Sequence, residues 1–191
     1  MKSIAELPFI AGDVALDFVN TAEQRGHPEA IDVLRTPSDL VRWGRRYGLL
    51  DEDVAAGASA AELRRALDAR ELLYALFFDR VAGRRAGSDQ LNRLAELHAA
   101  AYRAASPEQT ESGELAWHWS RADPASIRHT AVAAAAHVLA AHPPPRLKQC
   151  PGDHCGWFFI DTTKRGNRRW CSMSDCGQDA KSAGRRARSA A

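Results

Sequence analysis

Cys150-Pro151-Gly152-Asp153-His154-Cys155 and, fifteen residues later, Cys171-Ser172-Met173-Ser174-Asp175-Cys176 together hold every cysteine of the 191-residue chain. Two close pairs, separated by a segment long enough to turn back, bring four sulfurs to the corners of one tetrahedron, the geometry zinc accepts. Trp157 to Asp161 reads as a strand, 162–167 as a polar turn containing Gly166, and Arg168-Arg169-Trp170 as the returning strand. The expectation is a small zinc-ribbon-like β-hairpin. Four sulfur ligands leave no position for water, so one structural zinc per chain is expected, on Cys150, Cys155, Cys171 and Cys176. Two disulfides are the alternative, and they require an oxidising compartment. Glu6, Pro8, Asp13 and Asp17 interrupt the apolar run that a secretory signal needs, which favours a cytoplasmic, reducing location. His154 is a poor substitute ligand, because it adjoins Cys155 and the pair would reach one metal only with strain.

Charge is distributed unevenly around this cluster. Residues 1–145 hold 16 Lys and Arg against 20 Asp and Glu, whereas residues 146–191 hold 10 against 4. A zinc tetrathiolate carries −2, which lowers that end from +6 to about +4 and leaves it the positive pole. Lys181, Arg185 and Arg188 fall at spacings of four and three, a single stripe if the segment is helical, with Arg186 beside them. Ala180, Ala183 and Ala187 supply little to bury on the other side, and Gly184 costs a helix about 1 kcal/mol. With Lys164, Arg165, Arg168 and Arg169 of the hairpin, eight cations are candidates to meet nucleic-acid phosphates. A merely solubilising charged end is the plain alternative. Trp157, Phe159 and Trp170 are candidates to stack on bases, although packing of the hairpin is the weightier expectation.

Hydrophobic residues make up 45% and charged residues 26%, an ordinary balance that predicts a folded chain. Upstream, 13–21 spaces Val14, Phe18 and Ala15 or Val19 helically, and Thr36-Pro37-Ser38-Asp39 opens a second helix that Gly48 closes. Ser59-Ala60-Ala61-Glu62 is a capping-box sequence ahead of Leu63, Leu67, Leu73, Tyr74, Phe77 and Val81. Ser88 begins a helix with Leu91, Leu94, Ala95, His98 and Tyr102 along one side, and Asp123-Pro124 begins one that turns Ile127, Ala131, Ala135, Val138 and Leu139 inward. Between them, 106–113 reads as a polar loop, and alternation over 114–120 predicts a short strand. His142-Pro143-Pro144-Pro145 stops the last helix. The expected architecture is mainly α: a helical domain over 1–142, then a zinc module over 143–191 ending in a basic helix. No segment is apolar for 18 residues, so no membrane span is expected.

Arg168-Arg169-Trp170-Cys171-Ser172-Met173-Ser174-Asp175-Cys176-Gly177, with Cys150-Pro151 upstream and the arginine-rich end, resembles the bacterial CGNR zinc-finger proteins. Leu16-Asp17-Phe18-Val19-Asn20-Thr21 looks like the opening motif of the ABATE domain that precedes this finger in the same family. The resemblance spans essentially the whole chain. It implies a helical domain that senses a small ligand, joined to a DNA-binding finger in a stress-linked transcription regulator. The chain departs from the family pattern where Gln178-Asp179 stands in place of Asn-Arg. An arginine there would suit a phosphate or base edge, whereas Asp179 repels phosphate and suits a helix N-terminus.

Asp17, Asn20 and Thr21 share one side of the first helix, as candidates either to line a polar ligand pocket or to tie down the following loop. His98, His129 and His137 lack metal-like pairing, and no nucleophile, base and orienting group assemble from the sequence, so no enzymatic activity is expected. The expected function is DNA-binding transcription regulation, with homodimerisation open. RNA binding, or a protein-interaction zinc module, is the alternative.

Overall fold

A helix begins and ends where side chains can satisfy the backbone groups it leaves unpaired. In the computed structural model, which describes residues 3–25, 27–54, 58–141 and 146–189, Asp13 caps α1 (Val14–Val19) by accepting from the Ala15 amide at 2.8 Å. Thr36 and Asp39 form a full capping box on α2 (Pro37–Arg46), and Gly48, at φ 81°, lies just beyond its end. Ser59 accepts from the Glu62 amide at 3.0 Å to start α3 (Ala60–Val81). Only that half of the expected box forms. The Glu62 carboxylate turns instead to Arg128 of α5 (Ala125–Ala141), at 2.8 and 3.3 Å. Both side chains are about nine-tenths buried or more, and a charge that deep needs a partner with this forked geometry.

Helix α5 is the centre of the helical body. Ala131 and Ala135 are fully buried, and their small side chains let α1, α3 and α4 (Ser88–Arg103) pack closely around it. Gly44 of α2 serves the same end, because a Cβ there would lie 2.5 Å from Ile127 Cδ1. Ile127, Ala131, Ala135 and Val138 face inward as expected, with Leu139 packed beside them. Helix α4 differs from the expectation. Leu94, Leu97 and Ala101 form its packed side while Leu91 is half exposed, since the two apolar rows lie about 100° apart around the helix and only one of them faces the core.

Three antiparallel strand pairs surround the helices. β1 (Ala22–Glu23) pairs with β2 (Ile31–Asp32), β3 (Ala105–Gln109) with β4 (Leu115–Trp119), and β5 (Leu147–Gln149) with β6 (Phe158–Ile160). The first half of the expected polar loop at 106–113 is thus strand β3, with 110–113 as the turn. Its side chains are mostly exposed, so it carries none of the apolar alternation that marks a half-buried strand. β4 lies where alternation placed it, and Trp119 donates to the Ala101 carbonyl at 2.8 Å.

The hairpin of the zinc module also pairs differently from the expectation. β6 joins the upstream β5, in register Leu147 with Ile160 and Gln149 with Phe158, and Arg168-Arg169-Trp170 is not a strand. Gly152 and Gly156 lie in the connection between them, where the first cysteine pair makes the turn. β6 presents alternate residues to opposite sides, as a strand must. Phe158 and Ile160, with Leu147, join the helical core beside Phe77, whereas Trp157 and Phe159 pack with Cys150 and Cys171. The 142–145 segment, and with it the expected junction at 142/143, lies outside the described residues.

Asn20, just past α1, fastens β6 to the helices. Its amide donates to the Phe158 carbonyl and its oxygen accepts the Phe158 amide, both at 2.9 Å and buried. Asn20→Ala would leave two buried backbone groups unpaired, a cost of about 2–4 kcal/mol. Urea unfolding of zinc-loaded protein should show that loss, with Asn20→Asp, which keeps the acceptor alone, falling between. A loss below about 0.5 kcal/mol for Asn20→Ala would mean that the clasp contributes nothing beyond an ordinary surface bond.

Candidate metal centre

The four cysteines arrive from three local structures. Cys150 follows β5, its amide bonded to the Trp157 carbonyl at 2.7 Å. Cys155 closes a tight turn on the Gly152 carbonyl at 3.0 Å. Gly152 is needed there, since an added Cβ would stand 3.2 Å from both Cys155 Cβ and Cys176 Sγ. Cys171 ends the long loop, and Cys176 is the first residue of α6 (Cys176–Ser189).

All four sulfurs lie within 4.8 Å of one another, with Cys155 to Cys171 at 3.5 Å and Cys171 to Cys176 at 3.6 Å. Zn–S bonds of ~2.3 Å at tetrahedral angles require sulfurs roughly 3.8 Å apart. A disulfide needs about 2.05 Å, and all four cysteines are free. Hydrogen bonding from Cys155 and Cys171 favours the Cys150 thiolate, while the same contacts push the Cys155 and Cys171 thiols up. A divalent cation among them inverts that balance and takes all four as thiolates. The donors, their spacing and their burial fit zinc.

Side chains that the sequence did not single out hold the second cysteine pair in place. Burial opposes ionisation of Asp161, but the Lys148 ammonium at 2.7 Å, with Thr163 and the Arg168 amide, holds its carboxyl well below the usual carboxylate range. Lys148 also donates to the carbonyls of Gly166 at 2.6 Å and Arg168 at 2.9 Å, and Arg146 to that of Thr163 at 2.5 Å. Asp161-Thr162-Thr163 is an Asx-turn sequence, a signal that was available. The lysine and arginine partners come from β5 and its approach, and only the corrected strand pairing brings them near.

Among the eight candidate cations, Lys164, Arg165 and Arg169 are exposed on the loop, and Lys181, Arg185 and Arg186 are exposed on α6. Arg168 is placed differently. Its guanidinium lies over the Phe159 ring and donates to the carbonyls of Trp170 at 3.0 Å, Ile10 at 3.3 Å, Ile160 at 3.4 Å and Cys171. It joins the loop to the N-terminal segment, which removes it from the cations facing solvent. The Arg188 side chain lies outside what the structure describes. Asp179 stands in the first turn of α6, where its charge suits the helix dipole.

Asp17, Asn20 and Thr21 are buried, and their polar groups meet protein partners. Asp17 accepts from the Ile10 and Ala11 amides at 3.2 and 3.1 Å and from Tyr47. Thr21 donates to the Phe18 carbonyl at 2.7 Å and accepts from Arg70, which in turn grips Asp32.

Residues 12–143 match the family model for ABATE, described as "Putative stress-induced transcription regulator". The chain belongs to the ABATE family. Residues 146–189 of this ABATE protein match the CGNR zinc finger model. No curated protein matches the chain. The finger match and the sulfur geometry agree: Cys150, Cys155, Cys171 and Cys176 form the site of one structural zinc ion.

Elemental analysis of the ABATE protein purified without chelator should give one zinc per chain. Chelation should shift the emission of Trp157 and Trp170 to the red while far-UV dichroism largely persists, because the helical core does not contain the sulfurs. Zinc-free protein with unchanged emission would exclude the metal.

Burial pushes the Asp17 carboxyl up to about 6, against the pull of its amide and hydroxyl donors. A carboxyl whose folded value exceeds its unfolded one stabilises the fold fully below the unfolded value of 3.8, and that contribution is lost as pH rises through about 6. Relative to Asp17→Asn, which keeps an acceptor for the two amides and does not titrate, the native protein should lose up to about 3 kcal/mol between roughly pH 4 and pH 7. Parallel stability profiles for the two proteins would show that Asp17 titrates normally.

Proposed function

We propose that this protein is a DNA-binding transcription regulator in which the zinc site fixes two cationic segments and the helical body serves as the sensing half. The observation that carries this is the arrangement around the metal. Lys164, Arg165 and Arg169 are exposed on the segment leading into Cys171, and Lys181, Arg185 and Arg186 are exposed on the helix that begins at Cys176. One ion therefore sets the position of both groups, and phosphate neutralisation by such cations supplies affinity without base recognition. The family description supports a regulatory role and the finger match supports a nucleic-acid partner. Asp17, Asn20 and Thr21 enter as connectors inside the sensing half.

A fully sulfur-ligated zinc leaves no position for an attacking water, so the metal is structural and no catalysis is assigned. No helix among the described residues is long and apolar enough to cross a membrane. Cytoplasmic residence suits thiolate ligands and a chromosomal partner.

The test is a salt titration of duplex DNA binding. Each cation that neutralises a phosphate contributes about 0.9 to the slope of log K against log salt. Changing Arg185, Arg186 and Arg188 together to alanine should lower that slope by roughly 2–3 and weaken binding across sequences. An unchanged slope and affinity would remove the helix from the interface, and tighter binding of RNA at equal salt would transfer the function to RNA.

A further inference from the structure

Strands β3 and β4 pair only with each other, so each leaves one backbone edge without a hydrogen-bond partner among the described residues. Which groups face outward follows from the register. The Thr110 amide donates to the Glu114 carbonyl at 2.8 Å, so this position at the head of the ladder is a hydrogen-bonded one. Alternation along an antiparallel ladder then turns the backbone groups of Ala116 and His118 toward β3 and those of Leu115, Trp117 and Trp119 outward. On β3 the outward residues are Ala105, Pro107 and Gln109. Proline has no amide to offer, so that edge is blunted at its middle. β4 has no such guard, because no proline and no charged residue lies between Leu115 and Trp119.

The open edge is also apolar. Leu115, Trp117 and Trp119 share one face of the hairpin, and Leu115 is 68% and Trp117 44% exposed. Tyr102 of α4 meets both indoles edge to face, with centroids at 5.3 and 6.0 Å, which fixes the row in place without covering it. This row is self-complementary. When a second copy lays its β4 antiparallel beside this one, about a twofold axis at Trp117, Trp117 meets its counterpart and Leu115 lies opposite Trp119 of the second copy. Every outward position then sets apolar against apolar, and no like charges oppose. The flanks match as well. Antiparallel docking brings the tip of one hairpin, with exposed Glu111 and Glu114, to the base of the other, where Arg103 and Arg121 are exposed. The acids at that base are already engaged, Asp51 by Arg121 and Asp123 by the Ala125 amide.

We propose that the β4 edge is a dimerisation surface whose occupant is the β4 edge of a second copy of this chain. The two hairpins join into one continuous sheet through the backbone groups of Leu115, Trp117 and Trp119, and the apolar row of one copy continues into that of the other. A lone two-stranded hairpin is marginal in water, and added strands are what stabilise it. The inference does not rest on the DNA-binding role proposed above.

Sedimentation equilibrium of the zinc-loaded full chain, without DNA, tests the assignment. The protein should pass from monomer to dimer with a dissociation constant of roughly 1–100 µM, as suits a contact of this modest size. Leu115→Lys should weaken the dimer about tenfold or more, because a substitution in a twofold interface acts twice. Leu115 is the most exposed of the large hydrophobic side chains described, so helix and zinc content should stay native in that variant. Glu111→Lys with Glu114→Lys should weaken the dimer about threefold or more at low salt, and less as salt rises. Hydrogen exchange reads the backbone directly: the amides of Leu115, Trp117 and Trp119 should slow as concentration rises, while that of Gln109 on the β3 edge should not. A chain that stays monomeric up to about 200 µM would overturn the proposal and leave the edge to a strand from another protein. A dimer indifferent to Leu115→Lys, or one protected on β3 instead of β4, would place the interface elsewhere and overturn it equally.

Discussion

A strand shows its two faces to two different environments, and β6 is the point where this molecule uses both. Phe158 and Ile160 complete a core made otherwise of helices, while Trp157 and Phe159 cover the cysteine cluster from the other side. A one-residue slip would exchange these faces, placing Phe159 among the helices and Phe158 against the sulfurs. Two kinds of bond resist it. β5 pairs along the strand, and the Asn20 amide engages both backbone groups of Phe158. The metal module and the helical body are therefore joined through backbone hydrogen bonds and shared apolar packing. Arg168 adds a third tie, reaching the Ile10 carbonyl from the loop before Cys171.

Much of the helical body was legible because its signals are local. Asp13, Thr36 and Ser59 cap the helices they precede, and α5 buries the row its spacing indicated. The metal site was legible for a related reason, since four cysteines at matched spacing have few other uses in a reducing compartment. What escaped depends on pairings between distant residues. The partner of β6 lies before the first cysteine, and no local pattern distinguishes it from the segment that follows the turn. Once 157–161 is paired with the wrong segment, Lys148 and Arg146 look like surface charges and Arg168 looks free for phosphate. Glu62 shows the same limit within a helix. A capping-box sequence forms only half the box because Arg128, 66 residues away, competes for the carboxylate. β3 escaped because an exposed strand carries no burial pattern to detect.

The polar side chains between α1 and the strands follow from the same joining. Asn20 and Thr21 sit at a helix end that faces protein rather than water, so each must find a protein partner or leave a buried group unsatisfied. Asp17 meets that requirement while burial disfavours its charged form. Two amides and a tyrosine hydroxyl do not offset the loss of water around it, and its carboxyl rises to about 6. A motif of this composition on a sequence suggests a polar pocket. In the fold it supplies the hydrogen bonds that let a helix end be buried.

Helix α6 depends on the metal more than on its own sequence. Gly184 lowers its helix propensity, and alanines give it little to bury, so its intrinsic stability cannot cover the cost of starting a helix. That cost is met at its first residue. Cys176 is held by the cluster, and the loop carbonyls of Ser172 and Asp175 take the amides of Gly177, Gln178 and Asp179 at 2.8–3.0 Å. The Asp179 carboxylate then stabilises the first turn electrostatically. An arginine at that position would add a cation but weaken the turn that presents Lys181, Arg185 and Arg186. In this chain the sequence favours placement of the later cations over one more positive charge at 179, and it leaves the start of the helix negative.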